Sequence, residues 1–436
     1  MRDRPDVLYV LKVHLTERRC SEEILDETAY REYLGGWNLI LHYMLRDIPA
    51  GTDPLSPENV LIFAAGVLTG IPMGGMARNS AGAKSPQTGF CGLSEAGGFF
   101  GAELKRAGYD AVVVYGKADR PVFLSIIDGN ARLHDASDLW GLPILETEEC
   151  MRNIVDQPKG RTALIGPAGE NMVPSACILN DLSHAYGRGG LGAVMGSKLL
   201  KGVLVKGKSN PPWYDKQALL DLGKWFNATW KKAAPSAEFF ATHGTIGFLK
   251  ALSESGSLPT RNFCESSFEG ADKITGEMLT ERYLRGRGTC YACPVACKRE
   301  AEMTEPYFVN RKYGGPEYET AASFGSNCGN SDLAVIVKAN EMCNAFGLDT
   351  ITAGSSIAWI MKCADEGIIP PDLYSGRTIS FGDGEIILHL LDDIIHRRTR
   401  LGRALGAGSG GAAKELGFGS QFAMHVKGQD LPYHEP

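Results

Sequence analysis

Three cysteines in one short run constrain this chain more than any other feature: Cys290-Tyr-Ala-Cys293-Pro-Val-Ala-Cys297, a C-x2-C-x3-C pattern. Eleven cysteines spread over 436 residues do not gather like this by chance. The N-terminal residues Met1 to Asp6 are charged and no apolar stretch follows, which excludes a signal peptide and points to a reducing, cytoplasmic setting. There thiols bind metal or pack as small apolar groups rather than pair as disulfides. Three thiolates this close in a loop can cap three corners of a cubane [4Fe–4S] cluster, with a fourth ligand from elsewhere. A zinc site wants a second Cys/His pair at matching spacing, and none is present. The radical S-adenosylmethionine pattern, C-x3-C-x2-C, runs in the reverse order.

Glycine supplies the second signal, with 53 residues, well above the usual ~7%. It concentrates in three loops: Pro72-Met-Gly-Gly-Met-Ala-Arg78-Asn79, Ser94-Glu95-Ala-Gly97-Gly98-Phe-Phe-Gly101 and Tyr186-Gly187-Arg188-Gly189-Gly190-Leu-Gly192. Bare backbone lets a bulky ligand approach, and exposed N–H groups bind anions. The third loop opens a helix, where N–H groups and dipole favour phosphate. It also spells G-x-G-x-x-G. The preceding segment from Asn180 to Tyr186 reads as polar and helical, however, so a dinucleotide-binding fold is rejected.

The rest of the chain reads as α+β. Residues 1–208 are strand-rich: Tyr9, Leu11, Val13 and Leu15 alternate, and short runs follow at Val60–Phe63, Ala111–Tyr115, Val122–Ile127, Ala163–Ile165 and Gly202–Val205. Their spacing suits packed sheets better than βαβ repeats. The uncharged run Val60–Ala77 reaches membrane-span length but holds four glycines and Pro72, so it reads as a buried strand and a turn. A linker, Lys208-Ser-Asn-Pro211-Pro212, introduces a helical part, 209–400, with helices predicted at Gln217–Ala234, Lys273–Arg285, Asp332–Phe346, Ile357–Asp365 and Glu385–Arg397. In the third, Ser331 is the candidate cap, Val335, Ala339, Met342 and Phe346 form a stripe, and Gly347 stops it. Residues 401–436 begin a third part, and Pro436 is an odd place for a domain to finish. A net charge of −6 leaves no basic excess for nucleic acid.

Polar residues on apolar segments complete the candidate site. Gly315-Pro-Glu317-Tyr-Glu319 carries two carboxylates. Asn344 and Gly347-Leu348-Asp349-Thr350 lie at a helix end, and His425-Val-Lys427 pairs an imidazole with a cation on one face if the segment is a strand.

With these motifs the chain resembles the aldehyde ferredoxin oxidoreductases, tungsten enzymes with a bis-pterin cofactor beside a [4Fe–4S] cluster. The resemblance runs from Asp6 to Pro436, and includes Leu55-Ser-Pro-Glu-Asn59, Gly166-Pro-Ala-Gly-Glu-Asn171 and Gly187 through Lys198. It implies that Arg78, Glu95, Gly97, His184, Ala185 and Gly187 hold pterin phosphates and a bridging magnesium. Asn344, Leu348 and Asp349 would grip a pterin, and Lys427 would lie between pterin and cluster. Cys290, Cys293 and Cys297 would ligate the cluster, while Glu319 and His425 stand by the tungsten or molybdenum. The implied activity is oxidation of an aldehyde to its carboxylate, with ferredoxin or a similar carrier taking the electrons. The chain departs from the family in places. Lys338-Ala-Asn-Glu341 replaces an iron-binding Glu-x-x-His, so a homodimer would carry no bridging iron. The family also continues beyond Pro436, with the fourth cluster cysteine there. Cys328, Cys343 and Cys363 match no ligand. Two other readings remain: an iron–sulfur electron-transfer or scaffold subunit without pterin, or a relative acting on an aromatic thioester. Phe239, Phe240 and His243 are candidates for a substrate pocket or for ordinary packing.

Overall fold

Short apolar runs build the first part of the chain. The structure, a computed structural model, describes residues 6–434 except 212, 375 and 376. Residues 1–5, Pro212 of the linker and residues 435–436 lie outside the described residues. Contacts divide the chain into two units. One holds the chain up to Met172 with Ala176–Ala233 and Thr289–Pro294; the other holds Val173–Ser175, Ala234–Gly288 and the chain from Val295.

The first unit contains two six-stranded mixed sheets. The first sheet uses β1 (Leu8–His14), β2 (Arg19–Leu25), β3 (Leu61–Ala65), β4 (Asn79–Lys84), β5 (Cys91–Ala96) and β6 (Ala111–Tyr115), in the order β2-β1-β6-β3-β4-β5. The second uses β7 (Val122–Ile127), β8 (Asn130–Asp135), β9 (Arg161–Leu164), β10 (Ile178–Asn180), β11 (His184–Tyr186) and β12 (Leu200–Lys206), in the order β11-β10-β9-β12-β7-β8. Each sheet has one parallel pair, β1 with β6 and β12 with β7, and the other neighbours run antiparallel.

Period-two burial explains the packing. Leu11, Val13, Val112, Val114, Leu61 and Phe63 meet Val122, Leu124, Ile126, Val203 and Val205 of the second sheet in one core. Their strand neighbours Leu8, Val10, Val113 and Ile62 face the other way, onto Leu39, Ile40, Tyr43 and Met44 of the helix Gly36–Asp47. β1 is therefore buried on both faces rather than half-buried, because that helix covers the face the alternation leaves open. The Val60–Ala77 run is, as expected, the buried strand β3 followed by turns. No helix among the described residues is long and apolar enough to cross a membrane.

A strand does precede the third glycine loop, contrary to the helical expectation. It is β11, paired antiparallel with β10 in a hairpin. A dinucleotide-binding crossover needs parallel strands flanking the helix. Here Gly190 opens the helix Leu191–Ser197, whose chain returns in β12, a strand not adjacent to β11.

The second unit is mainly helical. Side-chain caps start its helices: Asp332 for Leu333–Phe346, Asp349 for Thr350–Asp365, Asp383 for Gly384–His396 and Thr399 for Arg400–Leu405. Asp332, not Ser331, caps the first of these, accepting from Ala334 N at 2.9 Å. Gly347 ends it in the left-handed conformation with φ 76°. Burial extends beyond the expected stripe to Leu333, Ile336, Val337 and Cys343, while Met342 and Phe346 are only partly covered. The predicted helix Lys273–Arg285 is shorter, Gly276–Arg282, because Leu284 onward enters a strand.

His134 of β8 gives the first unit a pH dependence. Its Nε2 lies 2.8 Å from Ser125 Oγ and its ring stacks on Phe123. Burial, and then Arg132, hold the imidazole below its ordinary value. The folded state therefore resists a proton that the unfolded chain accepts, so stability is lost as pH falls through about 6.5. In His134→Gln, the drop in urea midpoint between neutral and mildly acidic pH should be smaller than in the parent chain.

Candidate functional site

The cysteine run lies on a hairpin. β13 (Leu284–Gly288) pairs antiparallel with β14 (Lys298–Ala301), and residues 289–297 connect them. Within the loop Cys293 N donates to Cys290 O at 3.1 Å and Thr289 Oγ1 to Cys293 O at 2.6 Å. Ala292 and Ala296 are left-handed, with φ 54° and 51°. That conformation costs a residue with a Cβ about 1–2 kcal/mol and persists only where surroundings over-determine it.

In the first unit those surroundings are bare backbone. A Cβ on Gly97 would sit 2.6 Å from Cys290 Sγ and 3.3 Å from His184 Cδ2. Gly98, at φ 82°, is hemmed by Asp181, Asn180 and His184 within 3.3 Å. Tyr291 N donates to Gly98 O at 3.0 Å, and Tyr291 OH accepts from Arg106 at 3.0 Å. Asn180 Nδ2 donates to Gly97 O at 2.8 Å, and Phe99 N to Asp181 Oδ2 at 2.7 Å. Burial pushes the Asp181 carboxyl up, opposed by Arg161. Asn180 Oδ1 is buried without a hydrogen-bond partner.

The other predicted phosphate-binding residues are near by. Arg78 and Glu95 line one cleft of about 300 Å³ with Ser80, Thr69 and Gly75. Glu95 stands opposite Ser80 in the β4–β5 pairing, so its side chain is set by the strand and not by a free loop. His184 is 7% exposed on β11, Ala185 follows it, and Gly187 comes just after the strand. The structure thus brings Gly97, His184 and Cys290 together, and Arg78 with Glu95.

The second unit arranges its predicted residues differently. Asp349 caps its helix, accepting from Ile351 N, Thr352 N and Thr352 Oγ1. Leu348 is buried, and Asn344 Nδ2 donates to Tyr313 O at 2.7 Å. His425 and Lys427 do not share a strand face. His425–Val426 pairs with Gln429–Asp430, and Lys427 and Gly428 form the two-residue turn at φ 51° and 89°. Gly428 N donates to His425 Nδ1 at 3.1 Å, and Gly410 leaves room for the ring, since a Cβ there would lie 2.3 Å from it. Glu319 meets neither of these. Its carboxylate accepts from Tyr433 N at 3.0 Å and contacts His434 Nδ1. Tyr433 is fully buried, its hydroxyl among Ser355, Ser323 and Asn327. Glu341 pairs with Lys338 at 2.6 Å and accepts from Asn310 N. Phe239, Phe240 and His243 pack with Phe248 and each other.

Sequence reading missed Asn180, Asp181, Arg299 and His434. Asn180-Asp181 was noticed only as a polar stretch; its position before a glycine loop was the available signal. Arg299 follows the last cysteine by two residues. His434 carried none, since only the fold brings it to Glu319.

The residues present fit the implied groups. None of the three cysteines is in a disulfide, and each is partly buried. Among the described residues no three His, Cys, Asp or Glu side chains converge on a single ion. A cubane's separate corner irons do not require such convergence. Arg78 supplies a cation and Gly75 open space in one cleft, where a Cβ would meet nothing within 4 Å.

Residues 10–207 match the aldehyde ferredoxin oxidoreductase N-terminal domain, and 221–436 match domains 2 and 3 of the same family. The tungsten-containing aldehyde ferredoxin oxidoreductase of Thermococcus kodakarensis is 38% identical over 98% of this chain and 70% of its own length. The enzyme of the same description from Pyrococcus furiosus shows the same identity and coverage. Among solved structures, the active site complex BamBC of benzoyl coenzyme A reductase with 1,5-dienoyl-CoA aligns with TM-score 0.83 and 27% identity, over 98% of this chain and 66% of that one. The α+β fold and these matches define an oxidoreductase class of enzyme. The chain belongs to the aldehyde ferredoxin oxidoreductase family.

Gly97→Ala tests the bare-backbone contact. The new Cβ must displace Cys290, costing about 1–3 kcal/mol as overpacking. Urea denaturation should register the loss, and peptide-resolved alkylation should find Cys290 faster to react.

Proposed function

We propose that this chain carries a tungsten, or molybdenum, bis-pterin centre and a [4Fe–4S] cluster, and that it oxidises an aldehyde to the carboxylate. The balance is one aldehyde and one water giving the acid, two protons and two electrons. The electrons leave singly for ferredoxin or a similar carrier. The metal–dithiolene centre, when bound, supplies a two-electron acceptor and a polarising Lewis acid. Residues 1–208 would form the pterin-binding part, 209–400 the helical part with the cysteine motif, and a third part begins at 401.

The observation that supports this most is the seating of Cys290 against the uncovered backbone of Gly97, beside His184. In this reading Cys290, Cys293 and Cys297 hold the cluster. Arg78, Glu95, Gly97, His184, Ala185 and Gly187 hold the phosphate side through cation, backbone and magnesium. Asn344, Leu348 and Asp349 grip a pterin, and Lys427 lies between pterin and cluster.

Glu319 takes the proton. His425 Nδ1 is occupied as acceptor by Gly428 N–H, so the neutral ring carries its hydrogen on Nε2 and donates. That assigns His425 to holding the substrate oxygen. Glu319, already oriented by Tyr433 N and His434, is the acceptor, and His434 can pass the proton on. The likeness to a benzoyl coenzyme A reductase complex favours a second reading, reduction of an aromatic thioester; the higher identity to aldehyde enzymes ranks it below.

The chain, expressed without air and with tungstate, should bind tungsten, pterin and iron, should reduce a viologen dye with aldehyde, and should not oxidise the reduced dye with a benzoyl thioester. Absence of all three components would overturn the proposal. Glu319→Gln should lower kcat by about 10²-fold or more while tungsten and iron contents stay unchanged. His425→Asn should also abolish most turnover with the cofactor retained.

A further inference from the structure

Among the described residues Arg299 is the largest charged side chain that is buried, 2% exposed. Its guanidinium makes no ion pair with a carboxylate among the described residues. Instead Nε donates to Cys297 O at 3.2 Å and Nη2 to Ala296 O at 2.8 Å. Nη1 donates to Thr242 O at 2.6 Å and Nη2 also to Ala241 O at 3.1 Å. Four bonds from one planar fork thus tie the end of the cysteine loop to the end of the helix Pro235–His243. The slot is made for it: a Cβ on Gly244 would lie 3.1 Å from Arg299 Cγ, and one on Gly315 3.0 Å from Arg299 Cβ.

Charge makes this arrangement costly. Arg287 faces Arg299 across the β13–β14 pairing and also donates to Ala241 O, at 2.9 Å. Two guanidinium groups therefore share one carbonyl. The nearby carboxylate, Glu317, is already paired with Lys298 at 2.8 Å. A buried cation whose nearest carboxylate is shared with a second cation is unfavourable. A missing negative charge beside the Cys297 carbonyl would resolve the imbalance.

We propose that Arg299 is a positioning residue for the iron–sulfur cluster: it fixes the Ala296–Cys297 backbone, and its charge favours the cluster's reduced, more negative state. The inference rests on the proposed cluster at Cys290, Cys293 and Cys297. Net charge and local hydrogen bonding set cluster potentials, and burial strengthens the effect.

The test is an EPR-monitored redox titration of the anaerobic, iron-loaded protein with Arg299→Gln, Arg299→Met and Arg299→Lys. In the neutral variants the equilibrium constant for cluster reduction should fall about tenfold, a 59 mV lowering for one electron. Arg299→Lys should keep it within about threefold (the charge remains) while its g-values shift as the loop loosens. An unchanged potential in a neutral variant of full iron content overturns the proposal. So does an equal shift in Arg299→Lys. If neither neutral variant holds iron and Arg299→Lys does, the loop-holding role is supported. If all three fail alike, Arg299 serves folding alone and the proposal falls. A parent chain with no cluster signal would instead refute the proposed function, which separates the two failures.

Discussion

Close approach without side chains is the constraint on which this structure depends. Cys290 Sγ occupies the position a Cβ of Gly97 would need, at 2.6 Å. Gly98 is boxed in by Asp181, Asn180 and His184. Any alanine at Gly97 pushes the thiol away, and Gly98 adds a left-handed φ that disfavours every other residue. Glycine in folded chains is usually costly because it loses more conformational entropy than other residues. Its concentration in the loops before β4, after β5 and after β11 makes sense only if backbone must come near something bulky. The two sheets beneath supply the rigidity. Their shared core is built from residues with almost no exposure, so the loops spring from strands anchored in packed core.

Some of this was legible in the residues and some was not, for physical reasons. β6 and β7 were read with their full bounds because Ala-Val-Val-Val-Tyr and Val-Phe-Leu-Ser-Ile-Ile are apolar and branched. β4 and β5, Asn-Ser-Ala-Gly-Ala-Lys and Cys-Gly-Leu-Ser-Glu-Ala, carry almost no strand propensity and are not among the expected strands; Asn79 and Ser94–Ala96 fall in the expected glycine loops. They are strands because β4 pairs with the apolar β3 and β5 with β4, and because small side chains of β4 pass under the helix Gly36–Asp47. A Cβ on Gly82 would come 2.5 Å from Ile40. The helix Thr350–Asp365 starts seven residues before the expected Ile357, since Asp349 caps a first stretch of threonine, glycine and serine that looks unhelical alone. Tertiary context overrode weak local preference in each case.

The candidate site divides along the same line. The cysteine spacing and the glycine loops are local patterns, and Cys290 stands where those patterns meet. His425 and Lys427 are also local, but the two-residue turn separates them: alternation predicts a shared face only if the strand continues, and it stops at Val426. The imidazole at Glu319 belongs to His434, 115 residues away in sequence. No periodicity carries information over that distance. The neighbouring Tyr433 anchors His434 there: a buried tyrosine hydroxyl needs polar partners, and Ser323, Asn327 and Ser355 provide them.

Buried cations show why residue type matters more than charge in this protein. Lys198 is fully buried and donates to Pro57 O, Asn59 O and Gly116 O, and burial holds its amine down, to about 8. A lysine so placed can shed its charge near neutral pH and remain a donor. Lys201 is equally buried but has Glu170 as a partner, together with Leu142 O. Arg299 has neither escape: a guanidinium keeps its proton, and among the described residues no carboxylate pairs with it directly, the nearby Glu317 being bound to Lys298. A lysine would satisfy three carbonyls as well as Lys198 does. An arginine in that slot makes sense where the charge itself must persist, which is what a group that gains electrons beside it would require.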